Sequence, residues 1–268
     1  MHKPSSLRDY VIAFLIAGAI MILFGFYIFF RRGYLFDAPP TADLLYVPNK
    51  VLAGTAMTLL ALTFIIGPIV RYFDRFDKWL GYRKEIGIVA AFLAIFHGLV
   101  SYYLLPLKFP RFWIDFSSIE FGAGLVGAAL LAFLFFISFK QAITLLGAGR
   151  WWFLQRWGLR LAVIATLIHV YAMKWPGWVK WLTQGGGKAT AELAHPFLPG
   201  LGLLATLFIT WVVIIRFHES VFLFKDLGLT PKEISINEDL KKRGRRFFIY
   251  SFWIFVLLSV VVLLRWVA

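Results

Sequence analysis

The 268-residue chain is 60% apolar and 19% aromatic, only 16% charged, and has no cysteine. A soluble domain is roughly half apolar and a quarter charged, so folding alone cannot hide these side chains from water. The missing thiols exclude disulfide frameworks, thiolate zinc sites, iron–sulfur clusters and covalent haem attachment.

About 20 apolar residues in a helix cross the roughly 30 Å hydrocarbon layer of a bilayer, and seven stretches reach that length or approach it. The first, about 10–30, is too long for a signal-peptide core. It is followed by Arg31 and Arg32 with no small-residue cleavage site, so it reads as a retained helix. The second, about 49–70, ends on Gly67-Pro68, which reads as a terminator. The third (about 86–105) and the fifth (about 158–174) each hold one histidine, His97 and His169. The fourth (about 119–139), sixth (about 197–217) and seventh (about 247–268) complete the prediction: all-α, an integral membrane helical bundle of about seven transmembrane helices. Between the sixth and seventh, Thr230-Pro231-Lys232-Glu233 has the form of a capping box and predicts a short helix. The basic run Lys241 to Arg246 follows, readable as a stop-transfer flank or as a docking site for an acidic partner. The domain reading is 1–48, an N-terminal transmembrane helix and outer loop; 49–217, a core; 218–246, a cytoplasmic connection; and 247–268, a C-terminal transmembrane helix. Trp151, Trp152, Trp157, Trp175, Trp178 and Trp181 fall at predicted interfaces, where they read as anchors.

The charge is first a topology signal. Lys and Arg total 28 against 14 Asp and Glu, and assigning each cation to the nearer side of the predicted bundle divides them 19 to 9. The positive-inside rule then puts the N-terminus in the cytoplasm and the C-terminus outside, in the cytoplasmic (inner) membrane. Membrane lipid is the expected partner, and nucleic acid is not.

Of five histidines, His2, His195 and His218 lie outside the spans or at their ends, whereas His97 and His169 lie inside. Ionisable groups at membrane depth are costly and face a partner or a cavity. Helices three and five run in the same sense, and each histidine lies 11 residues past its predicted helix start, about 16 Å in. Two imidazoles at matched depth can supply both axial ligands of one haem iron. Ala90, Ala94 and Ser101 near His97, and Ala162, Ala165, Thr166 and Ala172 near His169, would leave room for a flat macrocycle. The alternative is that small residues let bare helices pack closely, each histidine bonding a carbonyl across the bundle.

Ile66-Gly67-Pro68-Ile69-Val70-Arg71-Tyr72-Phe73, Tyr82-Arg83-Lys84-Glu85-Ile86-Gly87 and Phe96-His97-Gly98 stand in this order. Leu146-Gly147, Trp151-Trp152-Phe153-Leu154-Gln155-Arg156 and Ile168-His169 follow. Together they resemble the ferric reductase-like transmembrane domain family over about 50–175. That family includes ferric reductases, NADPH oxidases and the haem-binding membrane subunit of a periplasmic methionine sulfoxide reductase. The resemblance implies that 49–217 is a haem-binding core with one haem b between helices three and five, His97 and His169 being the axial, metal-binding ligands.

The departures from the family are informative. Two-haem members place a second histidine 13 or 14 residues earlier on each helix; here those positions hold Lys84 and Arg83, and Arg156 and Gln155. Cations cannot replace neutral imidazole on iron without a large protonation cost. Arg83 and Arg156 are instead candidate cofactor-binding residues, for haem propionates or for the phosphate of a flavin such as FMN or FAD; positive-inside bias explains them equally well. No dinucleotide fingerprint follows a strand, and the chain stops at Ala268. Electrons are therefore expected from a separate reductase, a bound flavin or membrane quinol, and pass to an extracytoplasmic acceptor protein or ferric iron. The expected function is that of an integral membrane b-type cytochrome; if an enzyme, it is a transmembrane oxidoreductase of ferric reductase type without its own flavin and nicotinamide domain. The competing reading is a haem-free multi-spanning transporter or a membrane scaffold or anchor subunit.

Overall fold

The computed structural model describes residues 6–33, 45–108, 117–190, 193–223 and 238–265. Among these the chain is an all-α bundle. Its helices are α1 (Leu7–Arg32), α2 (Tyr46–Phe73), α3 (Asp77–Leu99), α4 (Ile119–Phe136), the short α5 (Lys140–Leu146), α6 (Ala148–Gln184), α7 (Leu201–His218) and α8 (Glu238–Leu264). Six are long and apolar enough to cross a membrane, so the chain is an integral membrane protein. The fifth predicted stretch lies in α6, which is 37 residues long but breaks its apolar run with Arg160, His169 and Lys174.

The local chemistry sets the helix ends. Ser6 caps α1 by accepting from the Asp9 amide at 3.3 Å, while the Asp9 carboxylate accepts from the Ser6 amide at 2.8 Å, a reciprocal capping box. At the other end Gly33 takes φ 81°, a left-handed cap that glycine adopts without steric cost.

α2 is the hub of the bundle. In its apolar window 78% of residues are buried, against 6% in α8, so α2 is enclosed by protein while α8 faces its surroundings. α1, α3, α7 and α8 all pack on α2, and α4 packs along α6 and against α3. The two helices that hold His97 and His169, α3 and α6, share little direct packing and are joined through α4 and α2.

The structure changes several boundaries. α2 does not stop at Gly67-Pro68: Pro68 lies inside the helix, which runs on to Phe73. The proline removes one hydrogen bond, yet Val70 and Tyr72 beyond it are buried, and that packing outweighs the local break. α3 and α6 start at Asp77 and Ala148, not near Ile86 and Gly158, because helix continues through the charged segments before each apolar run. Both starts move by a similar amount. His97 is 20 residues after Asp77 and His169 is 21 after Ala148, so their registers stay matched. Beyond the histidines, α3 widens into a π-helical turn at Val100–Leu104, and α6 contains Pro176.

The predicted capping box at Thr230 to Glu233 lies outside the described residues. The basic run after it is the opening of α8, not a separate connection. Lys241, Gly244 and Arg245 form one face of that helix against the end of α2. The Lys241 ammonium donates to both Asp74 carboxylate oxygens at 2.8 and 3.0 Å, and the Arg245 Nε donates to the Tyr72 carbonyl at 2.9 Å. Half of the run is thereby used within the fold, while Lys242, Arg243 and Arg246 remain exposed. The tryptophans divide similarly: Trp152 and Trp175 are exposed, but Trp151 and Trp181 donate to the carbonyls of Ile137 and Pro196, and Trp178 is buried.

Candidate functional site

His97 stands on α3 facing α2. Its Nδ1 lies 2.9 Å from Asn49 Oδ1, and the Asn49 amide nitrogen donates to Ser101 Oγ at 2.9 Å. Ser101 sits in the π-helical turn, one wide turn beyond the histidine. With its nitrogen committed to Ser101, Asn49 presents only an acceptor to the imidazole, so Nδ1 carries the proton. Asn49 itself is 4% exposed, a buried amide whose donor and acceptor are both used.

His169 on α6 reaches the same state by another route. Its Nδ1 lies 2.6 Å from the backbone carbonyl of Glu120, in the first turn of α4. A carbonyl only accepts, so this Nδ1 is also protonated. The ring fits because residue 124 is glycine: a Cβ there would stand 2.8 Å from Nδ1 and 3.1 Å from Cε1 of His169.

Both imidazoles thus have Nδ1–H fixed by an acceptor, leaving Nε2 as the lone-pair nitrogen. The hydrogen bond across the bundle, weighed above as the alternative to a ligand role, is present in both cases but uses the other nitrogen. Matched register, a fixed tautomer on each ring and little packing between α3 and α6 suit a pair of axial ligands on one planar metal group. Among the described residues no group of three or more His, Cys, Asp or Glu comes together.

Four of the seven small residues singled out near the histidines pack within the protein. Ala90 and Ala162 are buried in the core, Ala165 packs opposite Gly127, and Thr166 donates to its own helix at the Ala162 carbonyl. They hold helices together; Gly124, which the sequence reading did not select, makes room at the histidine.

Arg83 and Arg156 come together with Lys84 and Gln155, away from the histidines, around a cavity of about 350 Å³ between α2, α3, α4, α6 and α7. Arg83 Nε donates to the Thr63 carbonyl at 2.6 Å, and the Arg156 guanidinium lies 4.8 Å from the centre of the Trp152 ring. Sequence reasoning missed the centre of this region, Glu219. Its carboxylate, 4% exposed, bridges Arg71 of α2 and Arg216 of α7. Of the other three histidines, His2 lies outside the described residues, while His195 stacks on Phe30 and His218 on Phe247, with ring centroids 4.9 and 3.6 Å apart.

Residues 52–165, less than half of the chain, match the model of the family described as ferric reductase like transmembrane component. The match supports a ferric reductase-like transmembrane domain over α2, α3, α4 and the first half of α6, and so a membrane electron-transfer component. It includes His97 and ends four residues before His169.

Proposed function

We propose that the protein is an integral membrane b-type cytochrome that passes electrons across the bilayer through one haem held by His97 and His169. The observation that supports this best is the shared state of the two imidazoles, each with Nδ1–H bound to an acceptor and Nε2 left for a metal. When bound, a b-type haem supplies a one-electron iron couple. The chain's part is to set ligand geometry and basicity: Asn49 and the Glu120 carbonyl fix ring orientation and tautomer, and Ser101 fixes Asn49. In this reading the N-terminus is cytoplasmic, the donor is a separate reductase, a flavin or quinol, and the acceptor is an outside protein or ferric iron. Arg83 and Arg156 serve an anionic cofactor group rather than the iron. Reduced-minus-oxidised spectra of the full chain, expressed with ample haem, test the proposal: b-type bands at about one haem per chain are expected, and their absence rejects it.

Two substitutions probe the surroundings of the ligands. Asn49→Ala removes the acceptor on His97 and is expected to weaken haem binding on the order of 10- to 100-fold, the usual cost of losing an outer partner of a metal-bound histidine. Haem titration of the apoprotein would show it, and unchanged affinity would remove Asn49 from the site. Gly124→Val places side-chain atoms where the His169 ring lies. Haem occupancy should fall several-fold while Gly122→Val, at a glycine with open space around it, keeps wild-type occupancy.

A further inference from the structure

α2 runs from the histidine pair to Arg83. Its Asn49 meets His97, and the Thr63 carbonyl, 14 residues later, accepts from Arg83. That interval is about 21 Å of helix, farther than the propionate arms of a porphyrin extend from its iron. Two lysines lie on the other side of the histidines. Lys50 follows Asn49 and is half-buried, and its ammonium turns back toward the start of α2, 4.1 Å from the centre of the Tyr46 ring. The Arg32 guanidinium lies 5.4 Å from the same ring, which ties the end of α1 to this place. Lys174 follows His169 by five residues, about 7.5 Å along α6, and interrupts an apolar stretch. Among the described residues neither Lys50 nor Lys174 makes a hydrogen bond or an ion pair, and Glu120, in the first turn of α4, pairs with neither. An ammonium at membrane depth is costly without a partner.

We propose that Lys50 and Lys174 bind the propionate carboxylates of the haem, whose propionate edge then faces the Tyr46 end of the bundle. The inference rests on the haem reading above and adds to it the orientation of the macrocycle and the residues that meet its charge. Two ammonium groups meet two carboxylates, so charges that the bilayer cannot solvate neutralise one another. Hydrogen bonds between ionised partners are also about twice as strong as neutral ones. Tyr46 helps by ordering the Lys50 ammonium over its ring before the ligand arrives. Arg83 and Arg156 precede the histidines by 14 and 13 residues, so the anionic group they serve is not a propionate of this haem. Lysines that merely extend toward the membrane surface would be indifferent to the propionates, and that difference is measurable.

The full-length apoprotein in neutral detergent is titrated with haem and with haem dimethyl ester, which keeps the iron and ring but lacks the carboxylate charges, following the Soret band. The ratio of the two affinities is compared between proteins at one detergent concentration, so that partitioning into micelles cancels. From wild type to Lys50→Gln/Lys174→Gln the preference for haem over the ester should fall about tenfold or more, with ester binding unchanged. Arg83→Gln/Arg156→Gln should keep the wild-type ratio, as should Lys180→Gln, which removes an exposed lysine farther along α6. An unchanged ratio in the lysine double variant overturns the proposal, and so does an equal fall in the arginine double variant. Should the lysine double variant not purify as a monodisperse species, Lys50→Gln alone should lower the ratio several-fold and Lys50→Arg should restore most of it; equal ratios in these two and wild type overturn the proposal. Failure of the haem assignment is distinct, because neither compound then gives b-type bands in any of the proteins.

Discussion

His97→Ala and His169→Ala are each expected to lose the b-type bands, with haem occupancy falling by more than an order of magnitude. Loss of an outer partner alone costs about 10- to 100-fold, and removing a ligand itself costs more. His195→Ala and His218→Ala are the informative controls, because they delete imidazoles of the same size from the same chain. His195 stacks on Phe30 and His218 on Phe247, so their removal should cost stability of about 0.5–1.5 kcal/mol and leave the bands in place. Pyridine haemochrome assays on all four variants, normalised to protein, read the outcome directly. Equal loss in all four would show that the histidines matter only through folding. Retention in either of the first two would leave that side of the iron to another residue.

The part of this site legible in the sequence was the part set by periodicity and polarity. Seven apolar runs are visible because the bilayer demands about 20 apolar residues in a row, and two histidines stand out inside them because a polar ring is rare there. The matched depth survived even though both helix starts were misplaced, because α3 and α6 extend backwards through comparable charged segments. Charge reads as connection in a hydropathy profile, yet Arg83 and Arg156 lie on helix around a cavity. Asn49 was not legible: it sits at the edge of an apolar run, and only the fold brings it to a histidine 48 residues away. Gly124 was hidden for a related reason, since a glycine in an apolar helix looks like packing until the ring opposite it is known. The one signal that could have exposed Glu219 was its place beside Arg216 at the end of an apolar run, a spacing of three that pairs charges on a helix.

Glu219 is expected to be the residue whose loss most destabilises the bundle. It joins α2 to α7 by accepting from both Arg71 and Arg216, with its side chain 4% exposed and theirs 24% and 11%. Glu219→Leu leaves two guanidinium groups facing each other without a counter-ion, in a cavity already rich in cations. Breaking a buried ion pair from one side costs about 3–5 kcal/mol, a fall on the order of 10 °C in the unfolding midpoint for a chain of this size. The attraction itself is not what makes the cost large; the stranded charges are. Replacing all three members by apolar residues of similar volume (Arg71→Met, Arg216→Met and Glu219→Leu together) should therefore recover most of the loss, since such triads exchange for packed apolar groups at little or no cost. Thermal unfolding of the single and triple variants in one detergent decides it. A triple variant less stable than Glu219→Leu would mean that the arginines stabilise the cavity independently of the carboxylate, and a single variant within about 1 °C of wild type would mean that the triad contributes nothing.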